Sequence, residues 1–194
     1  MSIASQCDEC TRPVTVCDGS PTLKTLHLLR HAKASRDDPS GADHDRPLAD
    51  RGRADAPRIA ERMARAGVRP DLVAVSSARR ARETWDLAAP VLTPGRVAVV
   101  PGLYLCGIND LLAYVRAFSE EAGQVLIVGH NPDLEDLALH LASDASDPAD
   151  LARMAEKFPT GAWADLRLRV DRWAEAGRGC ATLARFLRPR DLTG

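Results

Sequence analysis

Short apolar runs that alternate with helical periodicity constrain this chain's fold more than any other feature. Leu26–Leu29 (within residues 24–30), Asp71–Val75, Val97–Val100 and Gln124–Val128 are such runs, each bounded by turn-forming residues. Runs of this kind read as buried strands. A helix over about 50–66 puts Ile59, Met63 and Ala66 on one face and stops at Gly67, with Pro57 expected to kink it. A second helix begins near Ala78, and a third over 109–119 places Leu111, Leu112, Val115 and Phe118 together. A fourth runs to about Leu141 with Leu134, Leu137, Ala138 and Leu141 inward, Asn131 as its cap and Pro132 at its first position. A short helix is expected near 148–157. Residues 163–170 and 180–187 flank Gly177-Arg178-Gly179 and predict an antiparallel pair. Alternation of strand and helix predicts an α/β fold with a mostly parallel sheet.

Three of the predicted strands end in polar side chains with chemistry. Arg30-His31 follows the first, Ser76 to Thr84 with Arg80 follows the second, and Gly129-His130 follows the fourth. Ligands of open α/β sheets bind beyond the carboxyl ends of the strands. Two guanidiniums and two imidazoles gathered there suit a dianionic phosphoryl group: arginine holds phosphate by paired hydrogen bonds, and an imidazole can be a nucleophile. Gly129 would let backbone approach closely, and the helix start after it would add free N–H donors. Arg79 and Arg82 share the crowded start of the second helix and read as a solvated basic face. His27 reads as a packed strand histidine, His44 as an exposed loop residue near the site, and His140 as structural or solvated. Trp85 and Trp163 read as core.

A net charge of -1 excludes a broad basic face for nucleic acid, and no apolar run reaches membrane-spanning length. The first residues are polar and carry Asp8 and Glu9, unlike a secretory signal, so a cytoplasmic protein is expected. Five cysteines fit a reducing compartment. Residues 1–22 hold Cys7, Cys10 and Cys17 and read as a loose tail before a single domain over 23–190. Cys7 and Cys10 have metal-ligand spacing, but no second pair follows, and no metal is expected.

The strand-end motifs resemble the histidine phosphatase superfamily. They stand here as Leu29-Arg30-His31-Ala32, Ser76-Ser-Ala-Arg-Arg80-Ala-Arg-Glu-Thr84 and Val128-Gly129-His130-Asn131-Pro132. Asp45-Arg46-Pro47-Leu48, Arg51-Gly52-Arg53 and Thr160-Gly161-Ala162 also match, and the likeness spans roughly residues 24–188. Together these motifs resemble the small SixA-type branch, the phosphohistidine phosphatases. The resemblance implies a three-layer α/β/α sandwich of phosphoglycerate mutase type, a mostly parallel sheet and an antiparallel edge. It implies that His31 attacks phosphorus and carries a phosphohistidine intermediate, with Arg30, Arg80 and His130 clamping the phosphoryl oxygens. No cofactor is implied, because the two arginines supply the charge. The partner would be a phosphohistidine-bearing protein or a small phosphorylated substrate, with neither nucleic acid nor membrane involved.

One departure from the family bears on the substrate. Larger members carry an acid after the third strand, whereas this chain reads Pro101-Gly-Leu-Tyr104-Leu-Cys106-Gly-Ile-Asn109-Asp110. Asp110, Asp37 and Asp38 are the carboxylates at hand, each with a capping or solvated-loop reading beside it. An alkoxide leaving group wants a positioned acid, whereas a phosphorylated imidazole can arrive protonated and leave neutral. The departure therefore favours phosphohistidine. Small phosphoesters or phosphoanhydrides are the alternative substrates. A non-catalytic phosphate-binding module is a further reading, opposed by the presence of both histidines and both arginines. A nucleotide-binding domain is disfavoured because the first strand lacks a Gly-rich loop after it.

Overall fold

The computed structural model describes residues 24–36 and 41–192. The cysteine-bearing stretch expected to be a tail, and Asp37 and Asp38, lie outside the described residues. Within them the strands are β1 (Lys24–Arg30), β2 (Leu72–Ser76), β3 (Arg96–Val100), β4 (Gln124–Gly129), β5 (Trp163–Leu168) and β6 (Ala181–Leu187). The helices are α1 (Asp50–Arg65), α2 (Arg79–Leu92), α3 (Gly107–Arg116), α4 (Asp133–Leu141) and α5 (Pro148–Glu156). One sheet holds all six strands in the order β3-β2-β4-β1-β5-β6. β1 to β4 are mutually parallel, and β5 and β6 run antiparallel at the other edge, as the sequence predicts.

Two apolar layers sandwich the sheet. Ile59, Ala60 and Met63 of α1 and Ala81, Trp85 and Ala88 of α2 pack on Leu29, Val73, Val75 and Val128. The opposite face packs Leu26, Leu28 and Ile127 against α3, α4 and Met154 of α5. Strands covered on both faces need apolar residues at consecutive positions, which is why Leu28 and Leu29 are both fully buried while pointing opposite ways. β3 has a neighbour on one side alone, and Val97 and Val99 stay exposed there. Trp85 and Trp163 are core residues, as expected.

The helix ends are mostly where the sequence puts them. Gly67 follows α1 with a φ of 83°, a left-handed conformation that costs glycine little. α1 continues unbroken through Pro57. Asp147 caps α5 by accepting hydrogen bonds from Ala149 N (2.7 Å) and Asp150 N (3.1 Å). The cap expected at Asn131 is not found. α4 starts at Asp133, and Asn131 instead donates through Nδ2 to Glu135 Oε2 (2.7 Å) and to Phe158 O (3.2 Å). Those two bonds orient the side-chain amide, and its Oδ1, the atom a cap would use, is buried without a hydrogen-bond partner. No helix among the described residues is long and apolar enough to cross a membrane.

Candidate active site

Parallel pairing brings the three polar strand ends to one edge. β1 and β4 lie in register with Arg30 opposite Gly129, and His31 N donates to Gly129 O (3.0 Å). β2 and β4 pair with Val75 opposite Val128, so Ser76 reaches the same edge. On the other side Arg30 N donates to Ala162 O (3.0 Å), and Gly161 N donates to the carbonyls of Arg30 (3.1 Å) and His31 (3.0 Å). The backbone around the histidine is thus held from both neighbouring strands.

All four predicted residues line one cavity of about 300 Å³. The rings of His31 and His130 lie 5.1 Å apart between centroids. Arg80 stands between them, its Nε donating to His31 Nε2 (3.3 Å) and its Nη2 lying 3.5 Å from His130 Nδ1. Arg30 donates through Nη1 to Phe158 O (2.6 Å), while its Nε is buried without a hydrogen-bond partner.

The hydrogen bonds assign the tautomers. His31 Nδ1 lies 2.8 Å from Ala32 O, an acceptor, so this nitrogen carries the proton. Nε2, facing the donor Arg80, keeps its lone pair. His130 places Nε2 2.8 Å from Ser76 Oγ, which can accept, and Nδ1 toward Arg80. Burial drives the His31 pKa down to about 3, with His130, Arg80 and Arg30 adding to the effect. Burial, then Arg80, lowers His130 to about 4. Both rings are therefore neutral at pH 7 with the site empty. The sequence predicts this direction for His31 from its arginine neighbours, but the larger cause is desolvation.

Several residues that sequence reading passes over support this arrangement. Thr84 Oγ1 donates to Arg80 O (2.6 Å) and accepts from Ala32 N (3.0 Å), linking the two chain segments that carry Arg80 and His31. Asp43 is the carboxylate among the described lining residues. Its backbone carbonyl accepts from Arg80 Nη1 and its Oδ2 from Arg80 Nη2 (3.0 Å). Arg46 Nη1 donates to its Oδ1 (2.8 Å) and Tyr104 Oη to its Oδ2 (2.8 Å). Those hydrogen bonds, from Arg46 first and then Tyr104, hold the Asp43 carboxyl far below the usual carboxylate range. The Arg80 guanidinium also lies 5.7 Å from the Tyr104 ring centroid, and that ring meets His130 edge-on at 5.3 Å. His44, expected to be exposed near the site, is half-buried and lies 3.0 Å from Ser77 Oγ.

One sequence expectation needs correction. A Cβ added at Gly129 would meet Leu134 at 3.5 Å, an ordinary contact, so close approach is not what glycine provides there. Close approach is needed at Gly52 instead, where an added Cβ would run into the backbone of Lys33. There the start of α1 sits on the chain leaving His31, and Ala49 N donates to Lys33 O (2.8 Å). Asp110 is exposed in the first turn of α3, outside the cavity wall, in agreement with its reading as a helix-start residue.

Comparison with known proteins agrees with the geometry. Residues 26–104 match the model of the histidine phosphatase superfamily (branch 1). An uncharacterized protein of Mycobacterium tuberculosis is 38% identical over 165 residues, covering 84% of this chain and 100% of that protein. The structure of SixA from Agrobacterium tumefaciens superposes with a TM-score of 0.72 at 30% identity, covering 86% of this chain and 98% of that one. The protein histidine phosphatase SixA complexed with tungstate superposes with a TM-score of 0.70 at 25% identity, over 87% of this chain and 99% of that one.

Proposed function

The chain belongs to the histidine phosphatase superfamily, in its SixA-type branch, and we propose that it dephosphorylates protein phosphohistidine through a phosphohistidine of its own at His31. One observation carries the reading. An unprotonated imidazole nitrogen lies among guanidiniums, in a pocket whose described carboxylate is held ionised.

The chemistry follows from these groups. His31 Nε2 attacks phosphorus as the bond from phosphorus to the substrate imidazole breaks. Arg30 and Arg80 take the equatorial oxygens, where charge is largest in phosphoryl transfer. His130 approaches through Nδ1 and gains a proton more readily beside a dianion, since an adjacent negative charge raises an imidazole pKa. Arg80 exchanges the Asp43 carboxylate for a phosphoryl oxygen, two acceptors of like charge and geometry. Water then attacks the phosphorylated His31 and releases inorganic phosphate. The arginines supply the positive charge, so no metal is called on.

Asp43 also bears on the leaving group. An ionised carboxylate cannot donate the proton that an alkoxide requires, whereas a phosphorylated imidazole protonated on its far nitrogen departs neutral. Tungstate, bound in the SixA structure cited above, is a tetrahedral oxyanion of the kind this pocket would take.

The test is brief exposure to a ³²P-phosphohistidine protein followed by quench. An acid-labile, base-stable label on the enzyme is expected, absent in His31→Ala, with turnover unaffected by a chelator. A label on serine, or one that survives in His31→Ala, refutes the nucleophile. A sugar phosphate turned over faster than phosphohistidine refutes the substrate.

A further inference from the structure

Beside the cavity of His31 lies a second, of about 410 Å³, and the two share Arg30, Lys33 and Thr160. Its wall brings together Arg30, Lys33, Arg51, Lys157, Arg188 and Arg190. Asp55 and Glu156 are the carboxylates that line it. The whole chain carries a net charge of -1 and three lysines, so six cations and two of those lysines on one wall reflect the fold, not the composition.

These cations come from four separate parts of the chain. Lys33 follows β1, Arg51 lies in the first turn of α1, Lys157 follows α5, and Arg188 and Arg190 follow β6. Bringing like charges together costs Coulomb energy, and packing does not require it here, since Lys33, Arg51, Lys157 and Arg190 are exposed. Such a local conflict is expected where function overrides stability. Internal pairing neutralises part of it. Asp191 binds the buried Arg188 at Nε (3.0 Å) and Nη2 (3.2 Å), and Arg51 makes a long contact of 3.4 Å to Asp55. Lys33 and Lys157 have no carboxylate within ion-pair distance among the described residues.

We infer that this cleft receives an acidic side chain of the phosphoprotein, a carboxylate neighbouring its phosphohistidine. The inference rests on the phosphohistidine reading and adds to it a preference for what flanks the phosphorylated residue. Arg30 belongs to both cavities, so a substrate occupying the phosphoryl site presents its flanking surface to the second wall. These lysines suit a carboxylate whose approach varies from one surface to another, because an ammonium on a flexible stem does not impose the fixed fork of a guanidinium. Charges this exposed act mainly on encounter and on KM, and salt weakens them.

The test uses two phosphohistidine peptides, identical except for glutamate or glutamine beside the phosphorylated residue. They are offered to the wild-type chain and to the double variant Arg51→Gln/Lys157→Gln. The wild type is expected to favour the acidic peptide about five- to tenfold in kcat/KM, through KM, with the advantage shrinking as salt is added. The variant should lose that advantage while hydrolysing phosphoramidate at the wild-type rate. Equal use of the two peptides by the wild type, or a preference that survives in the variant, overturns the cleft assignment and leaves the phosphohistidine reading standing. Turnover of neither peptide, with a sugar phosphate hydrolysed, overturns both.

Discussion

His27 and His31 lie four residues apart, one within β1 and the other just beyond its carboxyl end, and both are buried. Burial lowers both pKa values, to about 4 and about 3. Their surroundings then differ. His27 lies in mid-strand, with Trp163 Nε1 donating to its Nδ1 (3.4 Å) and Asp165 at 3.6 Å. His31 opens onto a cavity and shares it with three arginines and a second histidine. Burial and a depressed pKa therefore do not separate the proposed nucleophile from a packing residue. Access and convergent positive charge do.

Substitutions can break or sharpen this contrast. The largest effect is expected from His31→Ala, which should reduce kcat/KM by at least roughly 10³-fold, because the attacking atom itself is lost. His130→Ala removes one phosphoryl contact and should cost roughly 10²–10³-fold, mostly in kcat. Asp43→Ala frees Arg80 from its resident carboxylate but also loosens the Arg46 and Tyr104 contacts; about a tenfold fall in kcat/KM is expected, since the arginine loses its aim while keeping its charge. His27→Leu should leave kcat/KM within about threefold of wild type and show its effect in Tm instead. A loss of activity with unchanged Tm in that last variant would collapse the distinction between the two histidines.

Acid should treat the two regions alike. His27, His31 and His130 all have folded pKa values below the ordinary 6.5, at about 4, 3 and 4. The unfolded chain therefore takes up protons before the folded one does, so stability is flat above pH 6.5 and falls as pH drops toward 4. Thermal scans should show Tm decreasing by at least about 5 °C across that window. His31, as the proposed nucleophile, should not limit catalysis there. With a small substrate that does not titrate, kcat/KM is expected to stay level down to about pH 5, whereas an ordinary imidazole would give a break near 6.5.

Much of the fold is legible in the sequence because both layers of helix and the central strands follow simple periodicity. The boundaries of β1 and the starts of α1 and α5 fall where apolar pattern and end residues place them. The four convergent side chains are legible because parallel strands put their carboxyl ends on one edge. Asp43 is not legible. It is one acidic residue in a loop with several, and its value comes from Arg80, 37 positions away, and Tyr104, 61 away. Asn131 misleads for a related reason: its amide is oriented by Phe158 O, 27 positions distant, and its Oδ1 makes no cap bond. Desolvation of His31 likewise depends on layers contributed by the whole chain.

β1 is hydrogen-bonded on both flanks, to β4 and to β5, before it delivers His31. Its amides should exchange with deuterium solely through opening of the entire sheet. Asp43 lies in an exposed single helical turn, Asp43–Asp45, at the rim of the cavity. The imidazole proposed as nucleophile thus has a mounting as durable as the central strands, and adjustment to an incoming phosphate falls to the rim. A crosslink that immobilised Asp43 against Arg80 should slow phosphate entry without shifting the melting of the central strands.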